Sequence, residues 1–230
     1  MKLALLTIAT GPEYHSYIRP FLESAKQFFP AHEPFLFTDS VERFDAWQFR
    51  IARRPRAKTI RHRYHTFLQQ KFPLCTFDFI FHCDIDMLFV APVSESDIFS
   101  DGITATLHPG FAVENTIGTP ERRPDSTAFV PLTADNRYFA GAFVGGKADQ
   151  YLKMAEMLRW MIDLDEAHGI EPDWFDEQYL QKYLYANPPA KILSPSFCYP
   201  EDYAGLHGWP PEDYPPVLVA LDKGKRKGTS

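Results

Sequence analysis

Phe77-Asp78-Phe79-Ile80-Phe81-His82-Cys83 is a short, aromatic, nearly unbroken apolar run, and it stops at Asp84-Ile85-Asp86. A strand covered on both faces reads this way. In extended backbone, residues i and i+2 face the same side, about 6–7 Å apart. Asp84 and Asp86 would then form a carboxylate pair at the carboxyl end of a buried strand, the edge where open α/β sheets bind ligands. Two such carboxylates repel unless a cation joins them, and a hard divalent ion would bridge them to a diphosphate. A turn after a strand accounts for the same short pattern equally well. A second copy, Asp163-Leu164-Asp165, falls in a predicted helix, where i and i+2 point apart.

The rest of the chain follows an α/β order. Residues 2–9 read as a first buried strand, closed by Thr10-Gly11-Pro12. Ile18, Phe21, Leu22, Ala25, Phe28 and Phe29 then recur at helical spacing. Strands are expected at 35–38, 47–51, 103–107 and 138–146, the last ending in a turn, and further strands near 191–193 and 217–221. Helices are expected at 59–70, 147–168 and 173–186, with Asp173 as the N-cap of the last. Residues 111–136 read as a long loop, a feature often tied to function. No composition break marks a linker and no segment repeats, so one α/β domain with a mainly parallel sheet is predicted.

Composition removes several functions. The 45% hydrophobic content rules out global disorder. Lys and Arg number 24 against 30 Asp and Glu, a net charge of −6, which excludes a general nucleic-acid binder. No apolar stretch reaches membrane-spanning length. Three cysteines without a Cys-x-x-Cys give neither a disulfide framework nor a cysteine zinc site. The chain reads as soluble and cytoplasmic. The basic stretch Arg50, Arg53, Arg54, Arg56, Lys58, Arg61 and Arg63 is expected to be a solvated face, although a phosphate could dock there. His62 and His65 sit on that basic helix and read as surface residues. Gly141 and Gly145-Gly146 read as a tight turn or close packing. Asp176 and Glu177 lie in the first turn of a helix, where acids are favoured by the dipole alone.

Taken together, these segments resemble glycosyltransferase family 6, which includes the histo-blood-group A and B transferases and α1,3-galactosyltransferase. The matching pieces run in order through Phe21-Leu22-Glu23-Ser24-Ala25, Phe37-Thr38-Asp39, Asp84-Ile85-Asp86-Met87 and Thr106-Leu107-His108-Pro109-Gly110-Phe111. They continue with Glu121-Arg122-Arg123-Pro124, residues 138–146, Trp174-Phe175-Asp176-Glu177, Lys182-Tyr183-Leu184, Leu193-Ser194-Pro195 and Gly208-Trp209-Pro210. The compact chain is most similar to bacterial or phage members.

The resemblance implies a GT-A fold over 1–230, with a nucleotide-binding half near 1–90 and an acceptor-binding and catalytic half near 91–222. It implies retaining transfer of galactose or N-acetylgalactosamine from a UDP-sugar to a galactoside-type glycan in α1,3 linkage. Asp84 and Asp86 align with the acids that hold manganese on the UDP diphosphate. Ile8, Ala9 and Tyr14 match positions that cradle uridine, Arg63 a donor contact, and Asp176 a donor-sugar contact. Lys223 begins a short basic run, Lys223 to Lys227, where relatives carry a longer tail that closes over UDP. Ala140, Gly141 and Ala142 match the segment that sorts donor sugars. The methyl of Ala142, where N-acetylgalactosamine-specific relatives carry Gly, leans toward galactose. His108, Thr119 and Trp174 match acceptor contacts, and Glu177 matches the catalytic carboxylate, which a helix start should keep ionised. Phe175 replaces the usual histidine, and Gln181 the usual asparagine. A UDP-sugar hydrolase and a non-catalytic nucleotide-sugar or carbohydrate-binding module are the alternatives.

Overall fold

The computed structural model describes residues 1–112, 117–132, 137–202 and 213–223. The first apolar run forms β1 (Leu3–Ala9), followed by α1 (Pro12–Phe28), β2 (Glu33–Thr38) and β3 (Trp47–Arg50). Three short helices come next: α2 (Arg56–Arg61), α3 (Arg63–Leu68) and α4 (Lys71–Leu74). The run before the paired aspartates is β4 (Phe79–Cys83), and β5 (Met87–Phe89), α5 (Glu95–Ile98) and β6 (Ile103–Leu107) follow. The second half comprises β7 (Phe139–Lys147), α6 (Ala148–Ala167), α7 (Phe175–Ala186), β8 (Lys191–Leu193), β9 (Tyr199–Pro200) and β10 (Leu218–Ala220).

Seven strands form one sheet in the order β3-β2-β1-β4-β7-β6-β8. All neighbours are parallel except at β7, which runs antiparallel to both β4 and β6. The predicted α/β class with a mainly parallel sheet is thus the observed one. The apolar runs are explained by burial on both faces. Leu3 and Leu5 of β1 join Phe79 and Phe81 of β4 in one core with α1, while Ala4, Leu6 and Ile80 join a second core with α6 and α7. Side chains alternate between these cores because the strand period is two. A small sheet, β5-β10-β9, returns the chain past β5, and the Leu221 N–H donates to the Asp86 carbonyl at 2.9 Å.

Three expectations change. The single helix over 59–70 breaks at His62 (φ −94°, ψ 23°) into α2 and α3. On one helix, residues two apart point about 200° away from each other. Across the break, Arg61 and Arg63 are both buried, so the basic run is not a solvated face throughout. The turn expected near Gly145-Gly146 is absent, because β7 continues to Lys147. The glycines serve close packing: a Cβ on Gly145 would lie 2.2 Å from the Phe81 ring, and one on Gly146 2.2 Å from the Gly102 carbonyl. Finally, α7 is capped by Trp174, not Asp173, and the Trp174 N–H donates to Gln178 Oε1 at 3.1 Å. Phe175 enters that helix at φ 54°, a left-handed conformation that is strained for a residue with a side chain. Among the described residues, no helix is long and apolar enough to cross a membrane.

Candidate active site

The carboxyl ends of β1 and β4 open into a cleft. Ile8, Thr10 and Tyr14 line one wall, Arg54, Arg56, Thr59 and Ile60 another, and Arg63, Asp84, Asp86 and Lys223 the polar end. Ala9 is fully buried in the core and its side chain does not line this space. Asp84 follows β4 directly and Asp86 lies with Ile85 in a turn, so the pair stands at the strand end but not on extended backbone, and each holds a cation. The Arg63 guanidinium lies 2.9 Å from Asp84 Oδ1, and Lys223 is paired with Asp86. The small sheet that carries β10 past β5 delivers Lys223 there. Its ammonium also sits 5.4 Å from the Tyr14 ring centroid, within cation–π range.

Arg63 is the hub. It is buried, with Nε 3.0 Å from Asp176 Oδ2, and its terminal nitrogen donates to the Gly141 carbonyl at 2.6 Å. One guanidinium therefore joins the end of β4, the start of α7 and the middle of β7. Its flat fork of donors suits that task better than a lysine would. Burial pushes the Asp176 carboxyl up to about 6, although Arg63 pulls it back. Burial likewise raises Asp84, with Asp86 and Asp176 adding repulsion against the pull of Arg63.

Glu177 lies one residue beyond Asp176 and is half-buried. Its Oε2 accepts from the Gly141 N–H at 2.8 Å, and the Tyr138 hydroxyl also helps hold the carboxylate as the anion. Burial raises this carboxyl, while those two donors and Arg63 favour the anion. The expectation from the helix start alone is thus incomplete, since burial works against the charge.

The remaining site residues gather beyond Tyr138. The Thr119 hydroxyl donates to the Tyr138 oxygen at 3.1 Å, and the His108 ring packs edge-on to Tyr138 at 5.7 Å. Burial lowers the His108 imidazole to about 4. Gln178 Nε2 donates to the Thr119 carbonyl at 2.8 Å, tying this segment to α7. Trp174 is 53% exposed and presents its ring to solvent at the start of α7. In the sorting segment, Ala140 is buried in the core and Ala142 is half-buried. Gln181 is buried and mimics a neighbouring strand: it accepts from Phe139 N–H at 3.2 Å and donates to Phe139 C=O at 2.6 Å.

The histidine readings also resolve. His62 and His65 are half-buried rather than fully solvated: they stack at 4.4 Å and pair with Glu166 and Asp163 of α6. His62 sits at the break and His65 on α3, which packs on α6. Asp163 and Asp165 do diverge. Asp165 is buried and accepts from Ser126, Thr127 and Tyr179, whereas Asp163 takes His65. Tyr138 escaped the sequence reading because an aromatic residue at a strand start looks like core. Gly208-Trp209-Pro210 and Lys225-Arg226-Lys227 lie outside the described residues.

Among the described residues, no three His, Cys, Asp or Glu converge to form a complete metal cage. A divalent ion at Asp84 and Asp86 would draw its other ligands from water and phosphate, as magnesium-type sites commonly do. Hard oxygen donors at a cleft edge, where two protein cations already sit, fit that role.

The family model for glycosyltransferase family 6 matches residues 2–210. Histo-blood group ABO system transferase 2 of Rattus norvegicus is 32% identical over 228 residues, covering 89% of this chain and 65% of its own length. Histo-blood group ABO system transferase 1 of the same species is also 32% identical over 228 residues, covering 89% of this chain and 62% of its own length. Globoside alpha-1,3-N-acetylgalactosaminyltransferase 1 of Canis lupus familiaris is 28% identical over 222 residues, covering 86% of this chain and 60% of its own length. The chain thus spans less than two thirds of each of these relatives.

Proposed function

The chain belongs to glycosyltransferase family 6, with that family's GT-A fold, and from this membership we propose that it is a retaining hexosyltransferase. In this reading it moves galactose or N-acetylgalactosamine from a UDP-sugar to a galactoside-type glycan in α1,3 linkage. The observation that carries the reading is the continuous set of contacts from the carboxylate pair to Glu177. Asp84 meets Arg63, Arg63 meets the Gly141 carbonyl, and the Gly141 N–H meets Glu177. A donor in the cleft would place its diphosphate at Asp84 and Asp86 and its sugar toward Asp176 and Glu177. The relative named for globoside transfer is an α1,3-N-acetylgalactosaminyltransferase, which supports the linkage and donor class. We read the whole chain as one catalytic domain, because one sheet takes strands from both halves.

Asp84 and Asp86 would hold manganese, whose chemistry is to neutralise charge on the diphosphate leaving group. Ile8, Thr10 and Tyr14 provide the apolar and aromatic wall for the uracil base. In the transfer, the bond from the anomeric carbon to the UDP oxygen breaks, and the acceptor oxygen bonds that carbon on the same face. The acceptor hydroxyl proton leaves with the departing phosphate. Glu177 serves either route to retention: as the nucleophile on the opposite face, or as the anion beside a cationic transition state. Trp174 offers an apolar platform to the acceptor sugar, with Thr119 and His108 beside it. The methyl of Ala142 favours galactose, by about 1–3 kcal/mol at most, the usual worth of one methyl in a pocket.

The test is a screen of UDP-sugars with manganese, with and without galactoside and fucosylated-galactoside acceptors, followed by product identification. UDP release that needs an acceptor supports transfer, and equal release without one identifies a hydrolase. Binding without UDP release identifies a non-catalytic module. Glu177→Gln should keep UDP affinity and lose transfer by about 100-fold or more. Near-normal transfer by that variant would remove Glu177 from the catalytic role.

A further inference from the structure

His82 of β4 is fully buried two residues before Asp84 and makes two hydrogen bonds. Its Nε2 lies 3.0 Å from the Gly141 carbonyl oxygen, and its Nδ1 lies 2.9 Å from the Tyr151 hydroxyl. A carbonyl can only accept, so Nε2 carries the proton and Nδ1 accepts from Tyr151. Tyr151, on α6, is itself fully buried. The Gly141 oxygen therefore takes two buried donors, His82 and Arg63.

The strand pairing explains why that carbonyl is free to do so. Ala105 of β6 pairs with Val144 of β7, but the next residue, Thr106, pairs with Ala140. In regular antiparallel pairing, one step on β6 is one step on β7. Here β7 takes four steps, so residues 141–143 bulge away from β6. Such bulges re-aim backbone groups near functional sites. The bulge is pinned at its centre and its last residue: Asp84 N–H donates to Ala142 C=O at 2.9 Å, and the Thr106 hydroxyl donates to Phe143 C=O at 2.9 Å. At its first residue, Gly141 turns its N–H to Glu177 and its C=O to His82 and Arg63. Arg63 is also committed to Asp84 and Asp176, whereas His82 spends its one N–H on this carbonyl.

We propose that His82 is a positioning residue for the transfer, holding the Gly141 carbonyl so that the Gly141 N–H keeps Glu177 aimed at the reacting carbon. His82 touches neither substrate nor metal in this role. It acts through one backbone residue, and Tyr151 sets its tautomer. The inference rests on the proposed role of Glu177.

The experiment compares wild type with His82→Leu, His82→Gln and Tyr151→Phe. The measurements are kcat, donor and acceptor KM, UDP affinity and thermal midpoint. Leucine removes the donor, whereas glutamine places an amide N–H at the distance of Nε2. In His82→Leu, kcat should fall about 10-fold or more, with both KM values and UDP affinity within about 3-fold of wild type. His82→Gln should recover most of that loss, and Tyr151→Phe should cost about 3-fold in kcat. If His82→Leu does not fold, the other two variants decide: near-wild-type kcat in His82→Gln with a reduced kcat in folded Tyr151→Phe supports the role. A folded His82→Leu with wild-type kcat overturns the inference, as does a His82→Gln no better than leucine. So does a loss that tracks the thermal midpoint in all three variants. A wild-type protein that releases no UDP from any UDP-sugar defeats the transferase reading itself, and that outcome is scored before any variant is compared.

Discussion

Around Asp84 and Asp86, side chains stand on strand ends and short helices and are tied by charge: Arg63 to Asp84 and Asp176, and Lys223 to Asp86. Beyond Glu177, His108, Thr119 and Trp174 stand on connecting segments, held by ring packing and a few neutral hydrogen bonds. The two sides thus divide the labour. Buried charges are costly to orphan, so the first side couples stability to chemistry. Neutral contacts on connecting segments can change one at a time, so the second side can vary its ligand while the fold stays.

The sharpest break of that contrast is Arg63→Met. It keeps much of the volume but leaves Asp84 and Asp176 without their shared cation. A loss of about 3–5 kcal/mol is expected, read from the urea midpoint. A near-neutral result would mean that the charge network does not hold the first side together. Asp86→Asn comes next. It should cost about 100-fold in turnover, as removing a key electrostatic group commonly does, and excess chelator should silence the wild type. Full wild-type activity in chelator would refute the metal role.

On the other side, Trp174→Ala should raise acceptor KM by about 10-fold, the loss of a stacking face. UDP affinity and the thermal midpoint should stay unchanged. A matching rise in donor KM would blur the two sides into one. The smallest effect concerns pH. Burial lowers His108 to about 4 from an ordinary 6.5. Between those values the unfolded chain binds the proton and the folded one does not, so stability is full above about pH 6.5 and falls as pH drops toward 4. With the ring partly open to solvent, the share is on the order of 1 kcal/mol. Urea midpoints of wild type and His108→Phe at pH 7.5 and 5 check it: the variant should lose less on acidification.

The parts of this molecule that were legible in the sequence are those set by local pattern. β1, β4 and β6 follow from apolar runs, and α1 and α6 from helical spacing. The position of Asp84 and Asp86 at a strand end follows from the same logic. The burial of Arg61 and Arg63 does not, because a basic run looks alike whether it faces water or acids far along the chain. Arg61 pairs with Glu171, 110 residues away, and Arg63 with Asp176. The β7 bulge was also illegible, since it depends on the register of β6 rather than on any residue in β7. Glu177 shows the middle case: its residues alone indicate a helix start, and only the family pattern raised it to a candidate. The short strands β5 and β9 have too few residues to carry a period.

The pairing of Lys223 with Asp86 has a consequence for how a cation reaches the cleft. A tethered ammonium acts at an effective concentration that can reach the millimolar range. An ion from solution that is to take the same oxygen of Asp86 competes with it. The apparent affinity for that ion is then the intrinsic affinity multiplied by the fraction of molecules in which Lys223 has let go. The chain thereby sets its own threshold for loading, through a residue far along the sequence from the strand that carries the acids.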